Sequence, residues 1–264
     1  MLWVAPFLFC TDVDTPKLSN TVRVMTKNLT SSYEMLKNEV ATFRDLVREA
    51  ISQNPSVEQL YKGCTIMYSA LLEGPPFLFI GINPGAGRYK ETGKKLEAGE
   101  LEPCDGFDYT NALADGDYTL ARETRDLFTQ AGMYECLEKS VKTNVYYFMT
   151  SNEPDLWALS SSLGDDLDGQ FHKNAFRWTR WMIERIHPKV IVCEGMSSLN
   201  KLSEIFDVSP TREGSCGSFE LADETLVVGY SRQYSNIVDI PLAADFLRKK
   251  CCMRVQSAPQ PKKP

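Results

Sequence analysis

At 264 residues, 43% hydrophobic and 24% charged, the chain has the size and balance of one soluble globular domain with a core of its own. A formal net charge of −6 excludes indiscriminate nucleic-acid binding, which needs a broadly basic surface, but leaves room for a local basic patch. The eight cysteines form no CxxC pair, which excludes a zinc ribbon, a disulfide framework and a spaced iron–sulfur ligand set, and reads as reduced thiols of a cytoplasmic protein.

The apolar stretch 1–9 has no Lys or Arg before it and is too short to span a membrane, so neither a signal peptide nor an anchor is expected. Residues 1–28 are expected to form a poorly ordered extension, with Met25 a possible start, followed by a single domain over 29–252. The tail 253–264 is expected to be disordered, because Ser257 to Pro264 has nothing to bury. Ser31 or Ser32 can cap a helix over 33–53, with Met35, Val40, Phe43, Leu46, Val47 and Ala50 on its apolar side. Pro55 ends it, a second helix is expected over 57–72, and Gly74-Pro75-Pro76 leads into a strand.

That strand, Phe77 to Ile82, is apolar but for Gly81, the pattern of a strand buried on both faces of a parallel sheet. Asn83-Pro84-Gly85 stops it: Pro84 removes a ladder donor, and Gly85 permits backbone angles that other residues resist. In open α/β sheets ligands bind beyond the strand carboxyl ends, which puts Asn83, an amide that both donates and accepts, at the lip of such a crevice. The same tripeptide also reads as a plain strand-ending turn.

The segment 88–117 is polar and without period, the pattern of a long loop, and its Asp105, Asp108, Asp115 and Asp117 read as an acidic loop rather than a metal site. Helical spacing returns over 119–131, closed by Gly132, and over 135–141. Val145-Tyr146-Tyr147-Phe148-Met149 is the second expected strand, ending at Thr150-Ser151-Asn152. The stretch 153–169 reads as a loop holding Trp157 and the solvated acidic turn Asp165-Asp166-Leu167-Asp168. A helix over 171–187 carries both histidines, His172 and His187, which read as packing or solvent-facing. A third strand over 189–194, a helix to Phe206, a short edge strand at 219–221, a fourth strand ending at Ser231-Arg232 and a helix over 241–250 complete the chain. The alternation predicts a three-layer α/β/α sandwich with a central four-stranded parallel sheet, its strands near 77–83, 144–150, 189–194 and 225–230. No dinucleotide loop, phosphate-binding loop or nucleophile elbow is present.

Gly81-Ile82-Asn83-Pro84-Gly85 after a buried strand resembles the first motif of the uracil-DNA glycosylase superfamily, particularly its mismatch-specific and thymine-DNA glycosylase branch. Strand order and motif position extend the likeness over 77–247, and residue identity is specific only over 81–85. The resemblance implies a uracil-DNA glycosylase-like fold and a monomeric hydrolase that flips a damaged or mismatched base out of DNA and cleaves its N-glycosidic bond. No metal and no organic cofactor are implied. Asn83 would be catalytic, positioning the water that attacks the sugar C1′, with Gly81, Ile82, Pro84, Gly85, Tyr89, Asn152, Ser231 and Arg232 around the substrate. Tyr89 would stack on the extruded base, with Phe107 and Tyr109 as alternatives, or such loop aromatics would simply pack under the loop. Asn152 would read the base edge, or serve as a turn residue. Asn144, in Thr143-Asn144-Val145, fits a Thr-Asn pattern of some branches but is expected at the opening, wrong end of its strand.

The fourth strand departs from the family. Most branches carry a His-Pro-Ser-like turn there, whereas this chain has Gly229-Tyr230-Ser231-Arg232-Gln233-Tyr234. One electrostatic contribution to the leaving base is thereby missing, and Arg232 would either replace its charge or hold a flanking phosphate. The rival reading is a non-catalytic member that binds a nucleobase, nucleotide or protein partner in the same crevice.

Overall fold

The computed structural model describes the backbone of residues 20–85, 101–115 and 118–256, and the side chains of 28–85, 101–111 and 118–255. In chain order its elements are α1 (Asn20–Ser52), α2 (Pro55–Glu58), β1 (Gly63–Cys64), β2 (Phe77–Gly81), α3 (Asp108–Asp115) and α4 (Thr119–Gln130). A 3-10 helix (Tyr134–Lys139) precedes β3 (Val141–Asn144), β4 (Phe148–Met149), α5 (Glu153–Ser161), α6 (Asp165–Ile186) and β5 (Val190–Cys193). Then come α7 (Met196–Phe206), β6 (Thr211–Glu213), β7 (Cys216–Glu220), β8 (Leu226–Tyr230), β9 (Arg232–Gln233), β10 (Asn236–Ile237) and α8 (Ile240–Gln256).

The main sheet has six strands in the order β3-β2-β5-β8-β7-β6. β3, β2, β5 and β8 are parallel, and β7 and β6 extend the sheet antiparallel. Alternate residues of each parallel strand enter different cores, as period-2 geometry demands. Leu78, Ile80, Ile191 and Val227 pack with α1, α5, α6 and α7. Phe77, Phe79, Val192 and Val228 pack on the other face with residues of α4, α8 and the 3-10 helix. Helices therefore cover both faces of a mixed, mostly parallel sheet. Among the described residues no helix is long and apolar enough to cross a membrane.

Several elements differ from the sequence expectation. The sheet has six strands rather than four, and Phe219 belongs to an inner strand, since β6 takes the edge. The second parallel strand is Val141–Asn144, not 144–150. Its Lys142, Thr143 and Asn144 are polar yet buried, so hydrophobic periodicity passes over them, while Val145 to Met149 are buried just after it. The helix expected over 57–72 stops at Glu58; Gly63 takes a φ of 141°, and β1 pairs antiparallel with β4. The following segment covers the outer edge of β3: Tyr68 N–H donates to Lys142 O at 2.9 Å, and Ser69 Oγ accepts from Lys142 N–H at 2.9 Å.

The expected loop 153–169 contains a helix, α5, and the acidic run opens α6. Asp165, Asp166 and Asp168 lie in that helix's first turn, where carboxylates complement the dipole. The segment 101–115, expected as loop, contains α3. α1 begins at Asn20, inside the stretch set apart as an extension, and α8 runs past Cys252 to Gln256. The remainder of the tail and the segment 86–100 lie outside the described residues.

Candidate functional site

The parallel register brings four strand ends to one level. Gly81 stands opposite Asn144, Ile80 opposite Cys193, and Cys193 opposite Gly229. One residue further along, Glu194 lies between Gly81 and Tyr230, its N–H donating to Ile80 O at 2.9 Å. The side chains of Asn144, Glu194 and Tyr230 are all buried. Gly81 is required here for space: a Cβ on it would meet Asn144 Oδ1 and stand 3.5 Å from Glu194 Oε2.

Charge converges on this row from α3, β3 and β5. Lys142 Nζ lies 3.4 Å from Asp108 Oδ2, 3.8 Å from Glu194 Oε2, and 3.7 Å from the centroid of the Tyr109 ring. The Tyr109 hydroxyl donates to Glu194 Oε1, and the Tyr118 hydroxyl to Asp108 Oδ2. Arg125 Nη1 donates to Tyr109 O at 2.6 Å. A buried ammonium between two carboxylates that also accept phenol hydrogen bonds meets the condition under which buried charge is tolerated. Burial, then the charge of Glu194, holds the Tyr109 phenol well above its usual range. Burial and then Asp108 do the same to Tyr118. Tyr230 is raised by burial and Glu194, with the positive charge of Arg232 opposing the rise. Arg232 therefore faces the row from the β8 side, its Nε 3.8 Å from where a Cβ on Gly195 would stand.

Asn83 follows β2 by two residues and is half-buried. Its Nδ2 donates to Thr150 Oγ1 at 2.9 Å and Pro84 O at 3.2 Å, with Phe148 O at 3.5 Å. The whole turn is sewn to the chain beyond β3: Val145 N–H donates to Gly81 O, Tyr146 N–H to Ile82 O, both at 2.9 Å, and Gly85 bridges Thr150. Thr150 Oγ1 donates onward to Asn152 O at 2.7 Å.

The expected site residues thus separate into two groups. Gly81, Ile82, Asn83, Pro84 and Gly85 do lie at the sheet's carboxyl end, and Ser231 and Arg232 follow β8 at the same end. Asn152 is exposed and caps α5: Oδ1 accepts from Asp155 N–H at 2.8 Å, and Nδ2 donates to Asp155 Oδ2 at 3.1 Å. Asn144, expected at the wrong end, closes its strand beside Gly81. Its Nδ2 is buried with no hydrogen-bond partner among the described residues. Tyr89 lies outside the described residues. Phe107 and Tyr109 are fully buried against Phe79 and belong to the core, which corrects their expected place as exposed stacking faces.

His172 lies away from this row, its Nδ1 2.9 Å from the Tyr146 hydroxyl and its ring against Trp157; His187 closes α6 in the left-handed region. Lys142 and Glu194 escaped the sequence reading. The available signal for Glu194 was a carboxylate following Val190-Ile191-Val192-Cys193 without a break. Among the described residues no group of three or more His, Cys, Asp or Glu side chains could hold a metal ion, and no disulfide is present. Comparison of the sequence with models of known protein families and with curated protein sequences gives no match.

Proposed function

We propose that the chain is a uracil-DNA glycosylase-like hydrolase, with the corresponding α/β/α fold, that excises a damaged or mismatched base from DNA. The observation that carries this reading is the juxtaposition of the Gly81–Gly85 turn with a buried Asn144 on the neighbouring strand end whose Nδ2 has no partner among the described residues. A buried amide donor in that state invites a ligand edge, and a nucleobase flipped from the stack supplies one. In this reading Asn144 takes the base-reading role first considered for Asn152, whose amide is committed to a helix cap.

Asn83 is the water-positioning group. Its Nδ2 is anchored on Thr150 and the local carbonyls, which leaves Oδ1 to accept a hydrogen bond from a water at the crevice. The water oxygen bonds to the sugar C1′ and gives up a proton, the N-glycosidic bond breaks, and the base leaves with the bonding electrons and takes up a proton. The positive charge of Arg232 favours that departure, in place of a histidine on the fourth strand, whereas that of Lys142 is already balanced by Asp108 and Glu194. The reaction needs no cofactor, and the DNA is engaged by one copy of the chain.

The rival, a non-catalytic binder of a nucleobase, nucleotide or protein, is favoured by the net charge of −6 and by Tyr230-Ser231-Arg232 where a His-containing turn would stand. Release of free uracil from uracil-containing DNA, followed by chromatography, separates the two. Release at a rate that Asn144→Ala abolishes supports the hydrolase. Tight binding of the same DNA with no release supports the rival.

A further inference from the structure

A cavity of about 440 Å³ opens between α5, α6 and α7, on the face of the sheet opposite Tyr109. Trp157 stands in it as a fixed plate: its indole stacks on the His172 ring at 26° and meets the Tyr146 ring edge-on at 85°. His172 is itself pinned, with Nδ1 2.9 Å from the Tyr146 hydroxyl and Nε2 3.4 Å from Ser160 Oγ. Around the plate stand groups of opposite hydrogen-bonding sense. The ionised carboxylates of Glu153 and Glu204 only accept, the Lys201 ammonium only donates, and the Ser197 hydroxyl does both. Asn200 Oδ1 accepts from Arg212 Nη2, which leaves the Asn200 Nδ2 as a donor. Lys201 Nζ pairs with Glu204 at 2.8 Å and rests 5.9 Å from the centroid of the Trp157 ring.

We propose that this cavity is a second binding site, separate from the strand-end crevice, and that it takes a neutral sugar ring, free or as the ribose of a nucleoside. Its volume lies within the range of small-molecule pockets. Hydroxyl groups both donate and accept, so one ligand meets the acceptor-only carboxylates and the donor-only ammonium and amide together, without bringing charge. The C–H face of the ring then covers the apolar indole of Trp157. An anion is disfavoured, because two carboxylates outnumber one ammonium in the lining. A free amine or a zwitterion competes with the Lys201–Glu204 pair, which a sugar leaves intact. A groove that was only a seam between helices would show no preference among these solutes. Neither the base-excision reading nor its rival needs this cavity, so the inference stands or falls apart from both.

The probes are methyl β-D-glucopyranoside and methyl β-D-ribofuranoside, each added to the full chain and followed by saturation-transfer NMR, with methyl β-D-glucuronide as the anionic control. Wild type is expected to bind at least one neutral glycoside, with transfer strongest to the C–H protons of one ring face. Binding of the glucoside assigns the site to a free sugar, and binding of the riboside alone assigns it to a nucleoside. The glucuronide is expected to bind about fivefold or more weakly than the glucoside at low salt. Trp157→Ala is expected to weaken binding about tenfold, through loss of the stacking face. Should that variant not fold, Glu153→Gln keeps the shape of the lining, and it is expected to weaken binding about threefold or more and to narrow the gap between glucoside and glucuronide. No binding of either neutral glycoside, a glucuronide that binds as tightly as the glucoside, or full affinity in whichever of the two variants folds overturns the assignment.

Discussion

Asn144 fills the space that a side chain on Gly81 would need. The two residues are paired across β3 and β2, and Asn144 Oδ1 lies too close to where a Cβ on Gly81 would stand for both to fit, with Glu194 Oε2 3.5 Å from that point. Gly81→Ala must therefore displace the buried Asn144 amide, while Glu194 Oε2 stays in ordinary van der Waals contact. A cost of about 1–3 kcal/mol in stability is expected from such overpacking. Affinity for uracil should fall further than the folded fraction, because the displaced group is the one that reads the base. Thermal melting and a uracil titration on the same variant check this. Unchanged affinity at reduced stability would remove Asn144 from the binding site.

The parallel architecture was readable because β2, β5 and β8 are apolar on both faces and end at Gly81, Glu194 and Ser231, where polar or flexible residues take over. β3 was not. Lys142 and Thr143 are buried polar residues whose partners, Asp108 and Ile66 O, come from distant parts of the chain, and Asn144 is buried beside Gly81. Tertiary pairing overrode the pattern, and the strand was placed three residues late. That slip reversed the reading of Asn144 and Asn152. Glu194 is legible only as a carboxylate ending an apolar strand, since nothing local says that Tyr109 and Lys142 will surround it.

Thr150 connects Asn83 to the N-cap of α5, accepting from Asn83 Nδ2 and donating to Asn152 O. If Asn83 positions the attacking water, Thr150→Val should misalign it and lower the single-turnover rate about tenfold. Asn83→Ala should cost about a hundredfold or more. Each variant should also lose about 1–2 kcal/mol of stability, the scale of a broken partly buried hydrogen bond. Rates per folded molecule equal to wild type in both variants would leave Asn83 only a turn residue.

The two asparagines make opposite predictions. Asn152→Ala removes the cap of α5 and should destabilise the fold by about 0.5–2 kcal/mol without altering uracil affinity. Asn144→Ala removes a donor that has no partner among the described residues, so uracil affinity should fall more than tenfold while stability changes little. Melting curves and titrations on the pair decide between them, and the reverse pattern would restore Asn152 as the base reader.

Burial raises the Tyr109, Tyr118, Tyr147 and Tyr230 phenols and the Cys193 thiol, and pushes the Cys251 thiol up to about 12. The unfolded chain releases these protons first, from about pH 8.5 for cysteine and about pH 10 for tyrosine. The stability these groups contribute is therefore complete below those values and is lost as pH rises toward the folded ones. Melting temperature should change little from these groups between pH 7 and 8 and fall steeply above about pH 10. Tyrosine ionisation followed by absorbance should lag free tyrosine and coincide with unfolding. Normal titration of all the tyrosines in a still-folded protein would contradict the packing of this row.

The most direct test is single-turnover incubation of the full chain, in excess, with single- and double-stranded oligonucleotides carrying one uracil, followed by alkali to break abasic sites. Strand scission at the uracil in at least one of the two forms, slowed about a hundredfold or more by Asn83→Ala, is the predicted result. A folded wild-type protein that leaves both oligonucleotides intact would contradict the assignment of this crevice to base excision.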